Sequence, residues 1–230
     1  MVVLHQFEIS PFCDKVRRVL HLKGVPYEVR EIPPSQTLLR LRRLNPAAKL
    51  PVIEHAGNVV TDSTDIVRYL ERTWPEPRVI PEKPRDAALA HLLEDWADES
   101  LYFYEATMRF TWADNADKWV PILARDEIAP VRALSRALVP TLVGRVVRAQ
   151  GVGRKSRARV LAEVQQHVDA LAGLLGDSDW LVGDALSIAD IAVFAQLFCI
   201  GGTPEGELII GAASNVSRWM SRVDHATRKP

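Results

Sequence analysis

The sequence predicts an α/β domain of order β-α-β-α-β-β-α followed by an all-α domain. Three observations carry this. Strand and helix signals alternate through the first 76 residues, and almost no strand signal follows residue 85. Between them, residues 75–84 hold four prolines, and proline fixes φ and removes a backbone donor, which makes an extended connector. Charge divides at the same place: residues 1–85 carry 14 basic and 10 acidic side chains, residues 86–230 carry 15 and 19. The expected boundaries are 1–76 for the first domain, 77–84 for the linker and 85–230 for the helical domain.

The elements follow in order. Residues 2–7 are a short β-rich run, after which Ser10-Pro11 offers an N-cap and a proline at the first helical position. Val16, Val19, Leu20 and Leu22 give that helix one apolar face, and Gly24 ends it. Residues 27–32 alternate as a strand. Residues 37–44 read as a helix stopped at Asn45-Pro46. Residues 50–54 and 59–61 form a hairpin expected to turn at Gly57-Asn58, and residues 63–74 an amphipathic helix with Ile66, Val67, Leu70 and Trp74 inward. In the second half, residues 86–112 form one long helical pattern. Others lie near 118–149, where Pro121, Pro130 and Pro140 should break or kink the chain, and near 156–175, 188–200 and 215–226.

Composition removes whole classes of function. With 47% hydrophobic and 25% charged residues, the 230-residue chain has ordinary globular usage. Its formal net charge of zero argues against a dedicated nucleic-acid binder. Cys13 and Cys199 alone cannot build a disulfide framework or a four-ligand zinc site, and the six histidines show no metal-binding spacing, so no metal is expected. The longest apolar region, 188–200, is interrupted by Asp190 and Gln196 and falls short of a membrane span. The opening residues lack the pattern of a signal peptide. The expectation is a reduced, soluble, cytoplasmic protein.

Three short motifs carry chemistry. Ser10-Pro11-Phe12-Cys13 follows the first strand, and a helix N-cap sits where free N–H groups and the positive dipole end favour an anion. A serine there can donate a hydrogen bond to a thiolate on a ligand; it can equally serve as a plain cap. Asn45 through Ile53 places Pro51 at a strand head, marking an edge or a cis turn, with the Leu50 backbone open to an extended peptide. Asp62-Ser63-Thr64-Asp65 opens a helix whose Ser63 and Thr64 amides can hold a carboxylate while Asp62 holds an ammonium. Plain capping is again the simpler alternative.

Together, across nearly the whole chain, these features resemble the cytosolic glutathione S-transferase family, serine type, whose first domain is thioredoxin-like. The resemblance implies that Ser10 is catalytic, stabilising the glutathione thiolate. It implies that Phe12, Lys49, Leu50 and Pro51 contact glutathione, with Leu50-Pro51 as backbone clamp and cis-proline, and that Asp62 and Ser63 hold the γ-glutamyl group. It further implies glutathione as co-substrate, a detoxifying conjugation to a hydrophobic electrophile, and a homodimer formed through the helices from Ser63 and Asp86. Ser187-Ile188-Ala189-Asp190 resembles the family's N-capping box, a structural device, and 215–219 its usual final helix.

The energetics suit this reading. Moving a thiol from ~8.5 to about 6.5 takes ~2.7 kcal/mol, and one hydrogen bond to a charged group with a helix terminus supplies about that amount. The acceptor pocket is expected between the domains, lined by Tyr102, Tyr104, Met108 and Trp112 with Phe103 on the long helix, and by Phe7 and Phe12 opposite. A helix buries only one stripe, so part of this cluster belongs to the core. Eight basic residues and no acid occur from 129 to 162, but no aromatic falls between Val120 and Asp179. This suits a solvated face or an anion-attracting patch better than a nucleic-acid surface. Cys13 keeps open a glutathione-dependent reductase, isomerase or dehalogenase on the same scaffold, and a non-catalytic interaction module is the alternative of a different class.

Overall fold

The β-branched start of Val2–Gln6 suits a strand, β1, one of the two inner strands of the sheet, and the chain then turns sharply, Ser10 N–H donating to the Phe7 carbonyl at 3.2 Å. The computed structural model describes residues 1–42, 44–45, 47 and 49–228, the side chains of 38 and 39 excepted. Helix α1, Pro11–Leu22, starts at Ser10 in extended backbone with Pro11 in its first turn; Gly24, at φ 62°, supplies the left-handed residue past its end. Strand β2, Tyr27–Glu31, pairs parallel with β1. Its exposed, charged Glu28 and Arg30 blunt that sheet edge.

After a 3₁₀ turn at Pro34–Gln36, helix α2 covers Thr37–Leu41, shorter than the expected 37–44. The expected stop at Pro46 lies outside the described residues, as do Arg43 and Ala48. Strands β3, Val52–His55, and β4, Asn58–Thr61, complete an antiparallel hairpin, giving the sheet order β2-β1-β3-β4. The turn falls at Ala56-Gly57, one residue before the expected Gly57-Asn58. Asn58 already pairs with His55, and both turn residues have positive φ, 49° and 81°, as a tight two-residue hairpin requires. Helix α3, Ser63–Thr73, packs back on the sheet.

The connector is pinned at both ends. The Val79 and Ile80 amides donate to Glu71 at 3.0 and 3.1 Å, and Ile188 N–H donates to the Val79 carbonyl at 2.9 Å. Buried Lys23 bonds the carbonyls of Trp74 and Pro77 as well as Glu71.

The long helical pattern divides into α4, Pro84–Trp96, and α5, Tyr102–Phe110, joined by a π-helical turn over Ala97–Leu101. Helix α6 covers Ala113–Leu123 and α7 Ala129–Gln150. The break between them falls at 124–128; Pro121 and Pro140 sit within helices, and Pro130 occupies the first turn of α7, where no N–H is needed. Helices α8, Arg157–Leu175, α9, Ile188–Gly201, and α11, Ser214–Thr227, match the expected stretches. Helix α10, Pro204–Ala212, was not anticipated. Its Gly206 lies so close to α9 that a Cβ there would meet the Ile200 carbonyl oxygen at 2.0 Å.

Helix α9 is the hub. Buried on nearly every side, it packs against α1, α4, α5 and α10, so one apolar core runs through both halves. Arg18 of α1 ties the halves again, bonding Thr227 at 2.8 Å and Asp224 at 3.0 Å with its guanidinium 4.1 Å over the Phe194 ring. No helix among the described residues is long and apolar enough to cross a membrane.

Candidate active site

A cleft of about 690 Å³ runs between the sheet domain and the long helix. Its floor is the N-terminal end of α1. Ser10 has φ −79° and ψ 127°, and its Oγ accepts from the Cys13 amide at 3.4 Å. A hydroxyl that accepts from its own helix keeps its proton for a partner outside it. Cys13 itself is fully buried, and burial pushes its thiol up to about 11, despite the opposing Ser10 contact. It is an inert core thiol at neutral pH.

Pro51 lines the same cleft, and the Leu50–Pro51 peptide bond is cis. Lys49 and Leu50 line it beside Pro51. At the far end Asp62 holds φ 72° and ψ 132°, sparsely populated for a residue with a side chain and costing on the order of 1–3 kcal/mol. Its Oδ1 accepts from the Thr64 amide at 2.9 Å and the Asp65 amide at 3.4 Å. The expectation that the Thr64 amide is free for a carboxylate is therefore corrected: Asp62 occupies it. Ser63, next to it, lines the cleft.

Beneath this end lies a buried ionic cluster that the sequence reading missed. Lys15 Nζ reaches Glu94 at 2.9 Å, Asp98 at 2.5 Å and Thr64 Oγ1 at 3.3 Å, while Thr64 Oγ1 donates to Glu94 at 3.0 Å. Burial pushes the Asp98 carboxyl up to about 6, against the pull of the Lys15 ammonium. Glu94 and Asp98 are cleft-lining residues of α4 and the π turn, so the cluster joins both domains at the site.

The acceptor side comes out differently from expectation. Phe7, Phe12, Tyr102 and Phe103 line the cleft. Tyr104, Met108 and Trp112 do not. Tyr104 turns away to donate to Glu163 at 2.8 Å, Met108 is sealed in the core, and Trp112 lies under the Arg157 guanidinium, 4.6 Å from its ring centre. The physical reason is helical spacing: Tyr104 and Met108 are i,i+4 neighbours on a different face of α5 from the cleft-lining residues, and Trp112 lies past its end. The face that reaches the cleft is instead Tyr102, Glu105, Ala106 and Arg109. Arg109 and Glu105 form a fully buried ion pair at 3.0 Å. An i,i+4 Glu-to-Arg pair inside an aromatic-rich helix was the available signal.

The basic stretch is largely tied down locally. Lys155 and Arg159 bond Glu163 at 2.6 and 2.8 Å, Arg157 pairs with Glu205, and Arg132 reaches the Glu127 carbonyl.

Comparison with known proteins agrees with this architecture. Residues 4–78 match the family described as the glutathione S-transferase N-terminal domain, and residues 154–222 the glutathione S-transferase C-terminal domain. A probable glutathione S-transferase of Nicotiana tabacum is 30% identical, over 95% of this chain and 81% of that one. The isoprene-epoxide–glutathione S-transferase of Rhodococcus sp. strain AD45 is 24% identical, over 94% and 92%. The crystal structure of the beta-etherase LigF from Sphingobium sp. strain SYK-6 superposes with a TM-score of 0.70 at 23% identity, over 97% of this chain and 94% of that one, a likeness of fold. The four-stranded sheet domain, the helical domain built on α9 and the full-length sequence match place this chain in the glutathione S-transferase family.

Proposed function

We propose that the protein conjugates the thiolate of glutathione to a hydrophobic electrophile. The observation that carries this is the N-cap of α1: Ser10 Oγ accepts from the Cys13 amide within a cleft shared with the cis Leu50–Pro51 bond. In this reading, the Ser10 hydroxyl donates a hydrogen bond to the glutathione sulfur, keeping its own proton, and holds the sulfur as thiolate. Phe12, Lys49, Leu50 and Pro51 seat the tripeptide, its cysteinyl backbone lying along Leu50. Asp62 and Ser63 take the γ-glutamyl group, Asp62 through its second carboxylate oxygen. Residues 1–76 then bind glutathione, 77–84 link, and 85–230 carry most of the acceptor wall, with Tyr102 facing Phe7 and Phe12. The burial and raised pKa of Cys13 favour this transferase over a cysteine-type reductase.

The same reading includes a cytoplasmic, detoxifying role and a homodimer through α3 and α4. Leu92 on α4, an exposed apolar side chain, is one that such a contact would cover. The test is retention on immobilised glutathione followed by turnover of an aryl halide. Binding with turnover is expected; absence of binding overturns the assignment, and binding without turnover points to an interaction module. Light scattering at micromolar concentration should give twice the chain mass.

A further inference from the structure

The acceptor end of the cleft is walled by two segments that belong to different small cores. The stretch after β2 packs through Ile32 and Leu41 on Val52, in a cluster separate from the main core. Leu123 of α6 and Val143 of α7 pack with Phe110, Ala116 and Val120 in another. Each segment puts residues into the cleft, Pro34 and Thr37 from the one, Leu123 and Val143 from the other. Around α9 a shared apolar core joins the two halves of the chain, whereas here polar contacts bridge them.

The main bridge is Glu127, in the corner between α6 and α7. Its carboxylate accepts from the Ser35 amide at 2.8 Å and from the Ser35 hydroxyl at 2.6 Å. Ser35 sits in the 3₁₀ turn Pro34–Gln36, which has no side-chain cap from its own flank. A first-turn amide that needs an acceptor therefore finds it in the other domain. Glu127 is 3% exposed, and Arg132 holds its carbonyl at 2.8 Å. A second link, Arg125 to Glu8 at 2.7 Å, is more than half exposed on both sides and correspondingly weak. A small void is lined by Ile32, Pro33 and Pro34 on one side and by Ile122, Leu123 and Asp126 on the other, so dispersion adds little across this seam.

We propose that Glu127 is a specificity-determining residue that limits the width of the acceptor. Closed on Ser35, it fixes the distance of Pro34 and Thr37 from Leu123 and Val143. That spacing admits a slim acceptor, and a wider, fused-ring one must part the seam. Parting returns the Glu127 carboxylate and both Ser35 donors to water, so no polar group is left buried and unpaired. Few apolar contacts and hydrogen bonds that water can replace are the marks of a segment that opens locally. The role in acceptor choice rests on the transferase reading above; the closure of the seam does not.

The experiment compares wild type, Glu127→Ala and Ser35→Ala on benzyl chloride and on 1-(chloromethyl)naphthalene, both with glutathione. The two chlorides share their reacting carbon and leaving group and differ by a fused ring. The ratio of kcat/KM for the naphthyl compound to that for the benzyl compound is independent of how much protein is folded. It is expected to rise about tenfold in Glu127→Ala, the scale on which a pocket discriminates small apolar groups. The rise is expected to be smaller in Ser35→Ala, which keeps the amide bond and carries the test where Glu127→Ala fails to fold. Exchange of the Ser35 amide with solvent deuterium, read by NMR, is expected to quicken about tenfold or more in Glu127→Ala. A ratio that stays level or falls overturns the specificity role. Exchange as slow as in wild type overturns the hold across the seam. A wild type that turns over neither chloride removes the transferase reading and the specificity role with it, while the exchange rate still decides whether Glu127 closes the seam.

Discussion

The guanidinium of Arg109 grips the carbonyl of Ile9, its two Nη atoms 3.3 and 3.2 Å from that oxygen. Ile9 immediately precedes Ser10, so a residue of the helical domain fixes the loop that presents the α1 N-cap. The guanidinium is itself held by Glu105 and stacked 4.1 Å from the Trp119 ring centre. The N-cap geometry is thus a property of both domains together.

Arg109→Met should expose two separable effects. It strands the fully buried Glu105 carboxylate, which should cost roughly 3–5 kcal/mol, and it removes both donors from Ile9. Adding Glu105→Gln should recover most of the stability, since no unpaired charge remains. Turnover should stay low in the double variant, with KM for glutathione little changed. Thermal melts and steady-state kinetics on both variants check this; wild-type turnover in the double variant would show that the grip on Ile9 is irrelevant.

Ser10→Ala should raise the pKa of bound glutathione and lower turnover while leaving binding mostly intact. Losing one charge-assisted hydrogen bond is worth ~1.5–3 kcal/mol, about tenfold to a hundredfold in rate where thiolate formation limits it. Cys13→Ala should change the rate little, because that thiol is sealed in the core and protonated. The thiolate absorbance of the glutathione complex, followed against pH, reads the first effect directly. A reversed pattern, Cys13→Ala inactive and Ser10→Ala unharmed, would make this a cysteine-type enzyme.

Where local chemistry decides structure, the sequence was legible. Ser10-Pro11 announces its helix start, Gly24 its end, and Ser187 with Asp190 the start of α9, because each acts within one turn of chain. The hairpin was legible to within a residue; the error came from favouring Gly57-Asn58, when Ala56 accepts a left-handed conformation and lets Asn58 join the ladder. The acceptor wall was not legible. Tyr104, Met108 and Trp112 were named as members of an aromatic cluster, and nothing in the local pattern says which face of that helix meets the other domain; the cleft takes the face of Tyr102, Glu105, Ala106 and Arg109. Helix α10 was hidden because Gly206 and Gly211 dilute its pattern, although Gly206 is there for close packing on α9. The Lys15 cluster joins residues about 80 positions apart, a proximity no local pattern encodes.

Asp190→Ala should be among the most damaging substitutions in the chain. Its two oxygens accept four hydrogen bonds in the core: from the Leu181 amide and Trp219 Nε1 at 2.8 Å, and from the Ser187 amide and hydroxyl at 2.9 Å. Alanine leaves those buried donors unsatisfied, a loss of at least about 3 kcal/mol. Asparagine does not rescue it, since one amide edge would turn a donor toward donors. Urea midpoints of both variants test this, and a loss under about 1 kcal/mol for alanine would contradict the role assigned to the carboxylate.

The buried cluster at the cleft floor gives a pH dependence whose sign is fixed. Asp98 is raised from 3.8 to about 6, chiefly by burial, with Lys15 opposing and the Glu94 and Asp62 charges adding. A carboxyl with a folded pKa above its unfolded value binds its proton more tightly in the folded state. Its contribution to stability is therefore complete below about pH 4 and is lost as the pH rises through 6. A shift of this size corresponds to something on the order of 2–3 kcal/mol. Other carboxylates titrate in the same range, so the informative quantity is the difference between wild type and Asp98→Asn, which keeps the shape and an acceptor for Lys15 but cannot ionise. From pH 4.5 to 7.5, wild type should lose stability relative to the variant, most steeply near pH 5 and levelling off above pH 6, in urea midpoints taken at constant ionic strength. Parallel curves would mean that Asp98 does not titrate in this window, and that the Lys15 ammonium holds both carboxylates ionised throughout.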